Sequence, residues 1–163
     1  MTNDECFLAL PDKSTITGDI EGFLGGGGWV AHNAFMARRL PEEIYLKEPF
    51  IKKLANKYNL LVGVLFMYPH QVYNWHTDGN RRCGINMLLS ESPSHCLFSR
   101  NSQLTNSDTL ELQYQPKTYY VFNTDIPHMV VNLHAPRYLF SVELDGGSNS
   151  PSYDTLLKEL SSG

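Results

Sequence analysis

The stretch Leu60-Leu-Val-Gly-Val-Leu-Phe-Met-Tyr-Pro-His-Gln-Val-Tyr-Asn-Trp-His-Thr-Asp-Gly79 decides how the rest of the chain reads. Its first part, Leu60–Tyr68, is aliphatic and aromatic and stops at Pro69, which has no N–H to continue a ladder. The run is too short to span a bilayer and reads as a strand. Working outward, the next apolar runs are Cys83–Leu89, His95–Ser99, Leu110–Tyr114, Thr118–Asn123, His128–Leu133 and Tyr138–Leu144. Short strands at close spacing with no helix between them predict a sandwich or barrel, not a parallel α/β sheet. The fold class expected is mainly β: an eight-stranded, cupin-like jelly roll over about 60–145, flanked by helices on its N-terminal side. A single domain is expected over 1–163.

The helices are pushed to the ends. Pro49 suits a first helical turn, and Ile51, Leu54, Ala55 and Tyr58 recur on one face, with Lys52, Lys53 and Lys57 on the other. A shorter helix is expected over Trp29–Leu40, ending at Pro41, and a tail helix over Ser152–Leu160. Gly25–Gly28 cannot hold a regular element cheaply and is expected to be a mobile connection, either on the surface or as a lid.

Hydrophobic residues at 42% and charged residues at 18% suit a globular protein with a core. A net charge of −4 provides no basic field, so no nucleic-acid partner is expected; the arginine pairs Arg38/Arg39 and Arg81/Arg82 are the only candidates for a local basic patch. Three cysteines (Cys6, Cys83 and Cys96) without CxxC spacing argue against a disulfide framework or zinc knuckle, and for a reducing compartment. With no basic-then-apolar leader and no membrane span, a cytoplasmic location is expected.

The chemistry lies in His76 and Asp78. Residues two apart in an extended strand point the same way, so an imidazole and a carboxylate would share one face. A second imidazole is needed to complete a facial set, and His128, 50 residues beyond Asp78 at the head of a strand, is placed to supply it. Two histidines and one carboxylate leave three positions open, as in non-haem Fe(II) oxygenases. Arg137 follows His128 by nine residues, and Arg137, Leu139 and Ser141 would share a strand face. A guanidinium with a hydroxyl beyond it suits a buried carboxylate. Arg81 and Arg82 either orient a substrate carboxylate near the metal or flank a turn at the surface.

The pattern Tyr68-Pro…Tyr73-x-x-His76-x-Asp78, then Arg82-Cys83, then His128 and Arg137, resembles the double-stranded β-helix 2-oxoglutarate oxygenases. Around the first motif the likeness is to the prolyl-hydroxylase branch. The stretch Tyr120–Asn132 followed by Arg137 is similar instead to aspartyl/asparaginyl β-hydroxylase-like members. The resemblance covers about Leu61 to Leu144. It implies that His76, Asp78 and His128 bind Fe(II), and that Arg137 pairs with the distal carboxylate of 2-oxoglutarate, assisted by Ser141. It also places Tyr68 and Asn86 against that co-substrate. The implied activity is an Fe(II)- and 2-oxoglutarate-dependent dioxygenase, consuming O2 and hydroxylating an amino-acid or peptide side chain. Because the metal carboxylate is present, hydroxylation is favoured over halogenation. Two other readings stay open: a cupin-like metal-binding module, and a metalloenzyme independent of 2-oxoglutarate that uses a third histidine, for which His70 is the nearby spare.

Overall fold

The computed structural model describes residues 1–146 and 149–162. Eleven strands form two antiparallel sheets. The larger has the order β1 (Phe7–Lys13), β9 (Thr118–Asn123), β6 (Cys83–Leu88), β11 (Arg137–Leu144), β4 (Leu60–Met67), β3 (Phe35–Arg39), β2 (Val30–His32). The smaller has the order β5 (Gln71–His76), β10 (His128–Asn132), β7 (His95–Phe98), β8 (Leu110–Glu111). The eight strands β4 to β11 make the expected jelly roll, and β1, β2 and β3 widen one of its sheets.

Alternation along the strands sorts the side chains into two cores. Val62, Val64, Phe140, Val142, Ile85, Met87, Tyr119 and Val121 face outward from the larger sheet. There they meet Ile20 of helix α2 (Thr17–Leu24), Ile51 and Leu54 of α4 (Pro49–Ala55), and Leu156 of α5 (Tyr153–Ser161), while α1 (Asn3–Cys6) and α3 (Glu42–Tyr45) are single turns. The opposite face looks across at the smaller sheet, where Met67, Tyr120 and Phe122 pack with Cys96, Phe98 and Val130. Helices α4 and α5 fall where the sequence predicts them, α5 starting at a Ser152 cap that accepts from the Thr155 amide at 3.2 Å.

Two expectations are corrected. Trp29–Leu40 forms no helix: it holds the β2–β3 hairpin, which turns at Asn33 with φ 52°. Ala, Met and Arg are good helix formers, but Met36 to Arg39 pair with Phe66 to Gly63 along the otherwise open edge of β4, and sheet pairing overrides local propensity. The strand predicted over Leu110–Tyr114 ends at Glu111; after a last bond from the Leu112 amide to the Cys96 carbonyl (2.9 Å), the backbone turns inward. The Gly25–Gly28 connection is anchored by Arg38, which donates to the carbonyls of Phe23 (2.7 Å) and Gly25 (3.3 Å).

The N-terminal third is fastened to the helical layer by one buried carboxylate. Glu48 Oε1 accepts from the amides of Thr15 (2.5 Å) and Ile16 (3.2 Å) and from the hydroxyls of Thr15 (3.1 Å) and Ser14 (3.3 Å). Removing that acceptor strands buried donors, at about 1–3 kcal/mol. Glu48→Ala is therefore expected to lower unfolding free energy by about 2 kcal/mol or more in urea denaturation. A change near zero would mean that water replaces the carboxylate.

Candidate metal centre

His76 ends β5 and His128 begins β10, and the two are directly paired across the ladder. Both rings point into the space between the sheets, with centroids 4.2 Å apart. Asp78 follows β5 in a loop braced by Thr124, whose carbonyl accepts from the Asp78 amide (3.2 Å) and whose hydroxyl donates to the Arg81 carbonyl (2.9 Å). Asp78 Oδ1 then lies 3.6 Å from His76 Nε2 and 3.8 Å from His128 Nε2. All three donor atoms fall within 4.8 Å of one another.

The tautomers suit a metal. His76 Nδ1 is 2.6 Å from the Asn74 carbonyl, and His128 Nδ1 is 3.0 Å from that of Ile126. A carbonyl only accepts, so each Nδ1 carries the proton and each Nε2 offers a lone pair to the shared point. Tyr73 stacks on His76 with centroids 3.7 Å apart. Burial pushes the His128 pKa down to about 4, against a smaller upward pull from the Ile126 carbonyl. Burial also pulls the Asp78 carboxyl towards neutrality, but Arg81 and the two histidines outweigh it and hold the group below the ordinary aspartate value. Two imidazoles that each present Nε2 and one carboxylate, with a cavity in front, fit a divalent ion such as Fe(II).

That cavity, about 300 Å³, is also lined by Arg137, Asn86 and Ser141. Arg137 is 1% exposed, and no carboxylate among the described residues pairs with it. Nε donates to Ser94 Oγ (2.5 Å) and Nη2 to Tyr114 Oη (3.2 Å), while Nη1 is buried without a partner. The side-chain oxygen of buried Asn86 is likewise unpartnered, and Asn86 is the cross-strand neighbour of Ser141. An unpaired buried guanidinium is costly, and one facing a cavity with other unmet polar groups has the chemistry of an anion site.

Of the residues singled out in the sequence, His76, Asp78, His128, Arg137, Ser141 and Asn86 line this one cavity. Tyr68 does not. It lies one residue past Met67, which pairs with Arg137 and points inward, so alternation turns Tyr68 out, 53% exposed and against Phe66. The phenol beside Arg137 belongs to Tyr114, brought in by the segment that leaves the sheet after β8. His70 sits in the turn before β5 at φ 61° and is not part of the ligand cluster. Arg81 does reach the cavity, donating to Asp78 Oδ2 at 2.6 Å, while Arg82 pairs with Asp125 at the surface. Tyr73 of the first motif lines the cavity as well, as do Glu143 and Asn80, which carry no motif. Glu143 was within reach of the sequence, as the next residue on the face shared by Arg137, Leu139 and Ser141.

No family model matches the sequence, and no curated protein matches it. The fold does match solved structures. One is a prolyl hydroxylase from Trichoplax adhaerens in complex with a hypoxia inducible factor oxygen degradation domain peptide fragment. It has a TM-score of 0.65 and 13% identity over 88% of this protein and 84% of that one. A prolyl-4-hydroxylase from Pseudomonas putida gives a TM-score of 0.65 and 9% identity over 85% and 91%. HygX from Streptomyces hygroscopicus, with nickel, 2-oxoglutarate and hygromycin B bound, gives a TM-score of 0.57 and 13% identity over 86% and 84%. At these identities the likeness is one of fold, the double-stranded β-helix of the 2-oxoglutarate oxygenases.

The His128 shift predicts a pH dependence. Its folded pKa of about 4 lies below the ordinary 6.5. Stability is thus fully present above pH 6.5 and is lost as pH falls towards 4, because the unfolded state takes the proton first. On the order of 3 kcal/mol is at stake. The Tm of the protein kept in chelator should fall between these limits, and His128→Asn should flatten that part of the curve. Equal slopes in both proteins would place the titration elsewhere.

Proposed function

We propose that this protein is an Fe(II)- and 2-oxoglutarate-dependent dioxygenase that hydroxylates an amino-acid or peptide side chain. The observation that carries the reading is Arg137, a buried cation with no counter-charge among the described residues, in the same cavity as a histidine–aspartate–histidine cluster. A purely structural metal site has no need of that arginine. A three-histidine enzyme has no support either, since His70 lies outside the cluster.

In this reading His76 Nε2, Asp78 Oδ1 and His128 Nε2 hold Fe(II). Arg137 holds the distal carboxylate of 2-oxoglutarate, with Tyr114 and Ser94 fixing the guanidinium so that Nη1 faces the anion. Asn86 and Ser141 line the same cavity as Arg137 and the metal-type cluster. With O2, the bound iron and 2-oxoglutarate supply an oxidation that converts C–H to C–OH while 2-oxoglutarate becomes succinate and CO2. The residues around them position and exclude water: Val130, Phe122 and Leu139 are among the apolar residues of the cavity wall. Arg81 keeps Asp78 ionised and oriented through Oδ2, leaving Oδ1 for the metal. Asn132 fixes the turn that delivers Arg137 by donating to the carbonyls of Ala135 (2.8 Å) and Tyr68 (2.9 Å).

The three cysteines are unpaired and buried, and burial pushes Cys6 up to about 11 and Cys83 and Cys96 up to about 12, so they stay as inert thiols. That supports a place in the reducing cytoplasm. Among the described residues no helix is long and apolar enough to cross a membrane.

Anaerobic titration of the protein with Fe(II) and then 2-oxoglutarate tests the reading. A visible metal-to-ligand charge-transfer band is expected in the wild type and none in His76→Ala. Arg137→Ala is expected to weaken 2-oxoglutarate by about 100-fold while leaving iron affinity unchanged. Iron binding without a band in the wild type would remove 2-oxoglutarate from the proposal.

A further inference from the structure

Besides Asp78 and Arg137, the charged side chains lining the cavity are Arg38, Arg39, Arg81 and Glu143. Arg38 is committed to the Phe23 and Gly25 carbonyls and stacks over Phe23, and Arg39 is exposed at the rim. Arg81 and Glu143 remain, and they sit over the same piece of floor. The Arg81 guanidinium lies across Gly84, where a Cβ would meet its Nη1 at 3.0 Å. Its Nε is taken by Asp78 Oδ2 and its Nη1 reaches Ser141 Oγ at 3.4 Å, while Nη2 has no protein acceptor among the described residues. Glu143 is the cross-strand partner of that same Gly84. Its Oε1 accepts from Asn80 Nδ2 at 3.1 Å, and its Oε2 has no donor among the described residues.

A cation and an anion thus lie over one strand pair, each tethered by another group and each with one atom unused. They do not form an ion pair with each other within 4.0 Å. Opposite charges held apart across a shared floor complement a ligand that carries both charges. The interior of a peptide carries neither at its backbone and would leave both groups unmet, at the cost of desolvating them. The tie from Arg81 to Asp78 puts this anchor beside the metal ligands, so carbons next to the charged head are those nearest the oxidising centre.

We infer that the primary substrate is a free α-amino acid, its carboxylate on Arg81 and its ammonium on Glu143. This rests on the dioxygenase reading above and narrows its substrate. One oxygen atom of O2 enters a C–H bond on the side chain of the amino acid, and the other enters succinate. The carbon lost from 2-oxoglutarate leaves as CO2, so the four electrons taken up by O2 come in pairs from the two substrates.

The test is binding, not turnover. Protein loaded with Mn(II) and 2-oxoglutarate without oxygen is titrated calorimetrically with each of the twenty free L-amino acids. Each is compared with its N-acetyl and C-terminal carboxamide forms. At least one free amino acid is expected to bind, with either blocked form about tenfold weaker or worse. Glu143→Gln should abolish the preference for the free ammonium with 2-oxoglutarate affinity within about twofold of wild type, and Arg81→Gln, read only as the ratio of free to carboxamide affinity in protein that still binds Mn(II), should abolish the preference for the free carboxylate. Glu143→Gln lies away from the metal ligands and carries the test if Arg81→Gln does not fold. The inference fails if 2-oxoglutarate binds but no free amino acid does, or if either blocked form binds as tightly as the free one. It also fails if Glu143→Gln weakens 2-oxoglutarate itself, which would make Glu143 part of the co-substrate site. If 2-oxoglutarate does not bind at all, it is the preceding reading that falls.

Discussion

A guanidinium removed from water and left without a carboxylate is among the least favourable things a small β-fold can carry, and Arg137 is in that position. Two hydroxyls, from Ser94 and Tyr114, take two of its donors, and one nitrogen faces the cavity unmet. The surrounding structure serves this placement. The Asn132 side chain fastens the turn before Arg137, the β8 strand ends early so that Tyr114 can reach inward, and Met67 pairs opposite. No described residue supplies the counter-charge, so an anion that binds there contributes to the stability of the fold as well as to its chemistry.

How much was legible in the sequence followed from how regular each strand is. Strand β11 pairs without a bulge against both β4 and β6, so counting by twos from Arg137 finds Leu139 and Ser141 correctly, and one more step reaches Glu143. The same counting places Tyr68 outside once Met67 is known to face in; what the sequence does not show is which parity of Leu60–Tyr68 is buried, since nearly every residue there is apolar. The metal-type triplet was readable because its spacing is local for His76 and Asp78, and because His128 opens a strand that pairs with the one His76 closes. Ser94 and Tyr114 were not readable: they lie outside regular strands and reach Arg137 only through tertiary packing.

The N-terminal hairpin shows the limit from the other direction. Phe35 to Arg39 reads as helix because its residues favour helix, and it becomes strand because β4 leaves an edge open. Gly63 shows how tightly that edge is filled. A Cβ there would come within 2.6 Å of the Arg38 carbonyl, so β3 crosses β4 at a distance only glycine permits. Gly84 plays the matching part beneath Arg81. The floor of the cavity is thus shaped by missing side chains, which hydrophobic patterning does not reveal.

The path of the first forty residues has a kinetic consequence. Strand β1 pairs with β9 at one edge of the larger sheet, more than 100 positions along the sequence, while β2 and β3 attach at the opposite edge. Strands β2 and β3 need only β4, whereas the β9 edge that β1 pairs with lies more than 100 residues further on, so β1 waits longest for its partner. Closing contacts this distant in sequence is slow. During synthesis, Phe7, Ile16 and Ile20 leave the ribosome well before the surfaces that bury them are made. The nascent segment is therefore the stretch with most to gain from a chaperone.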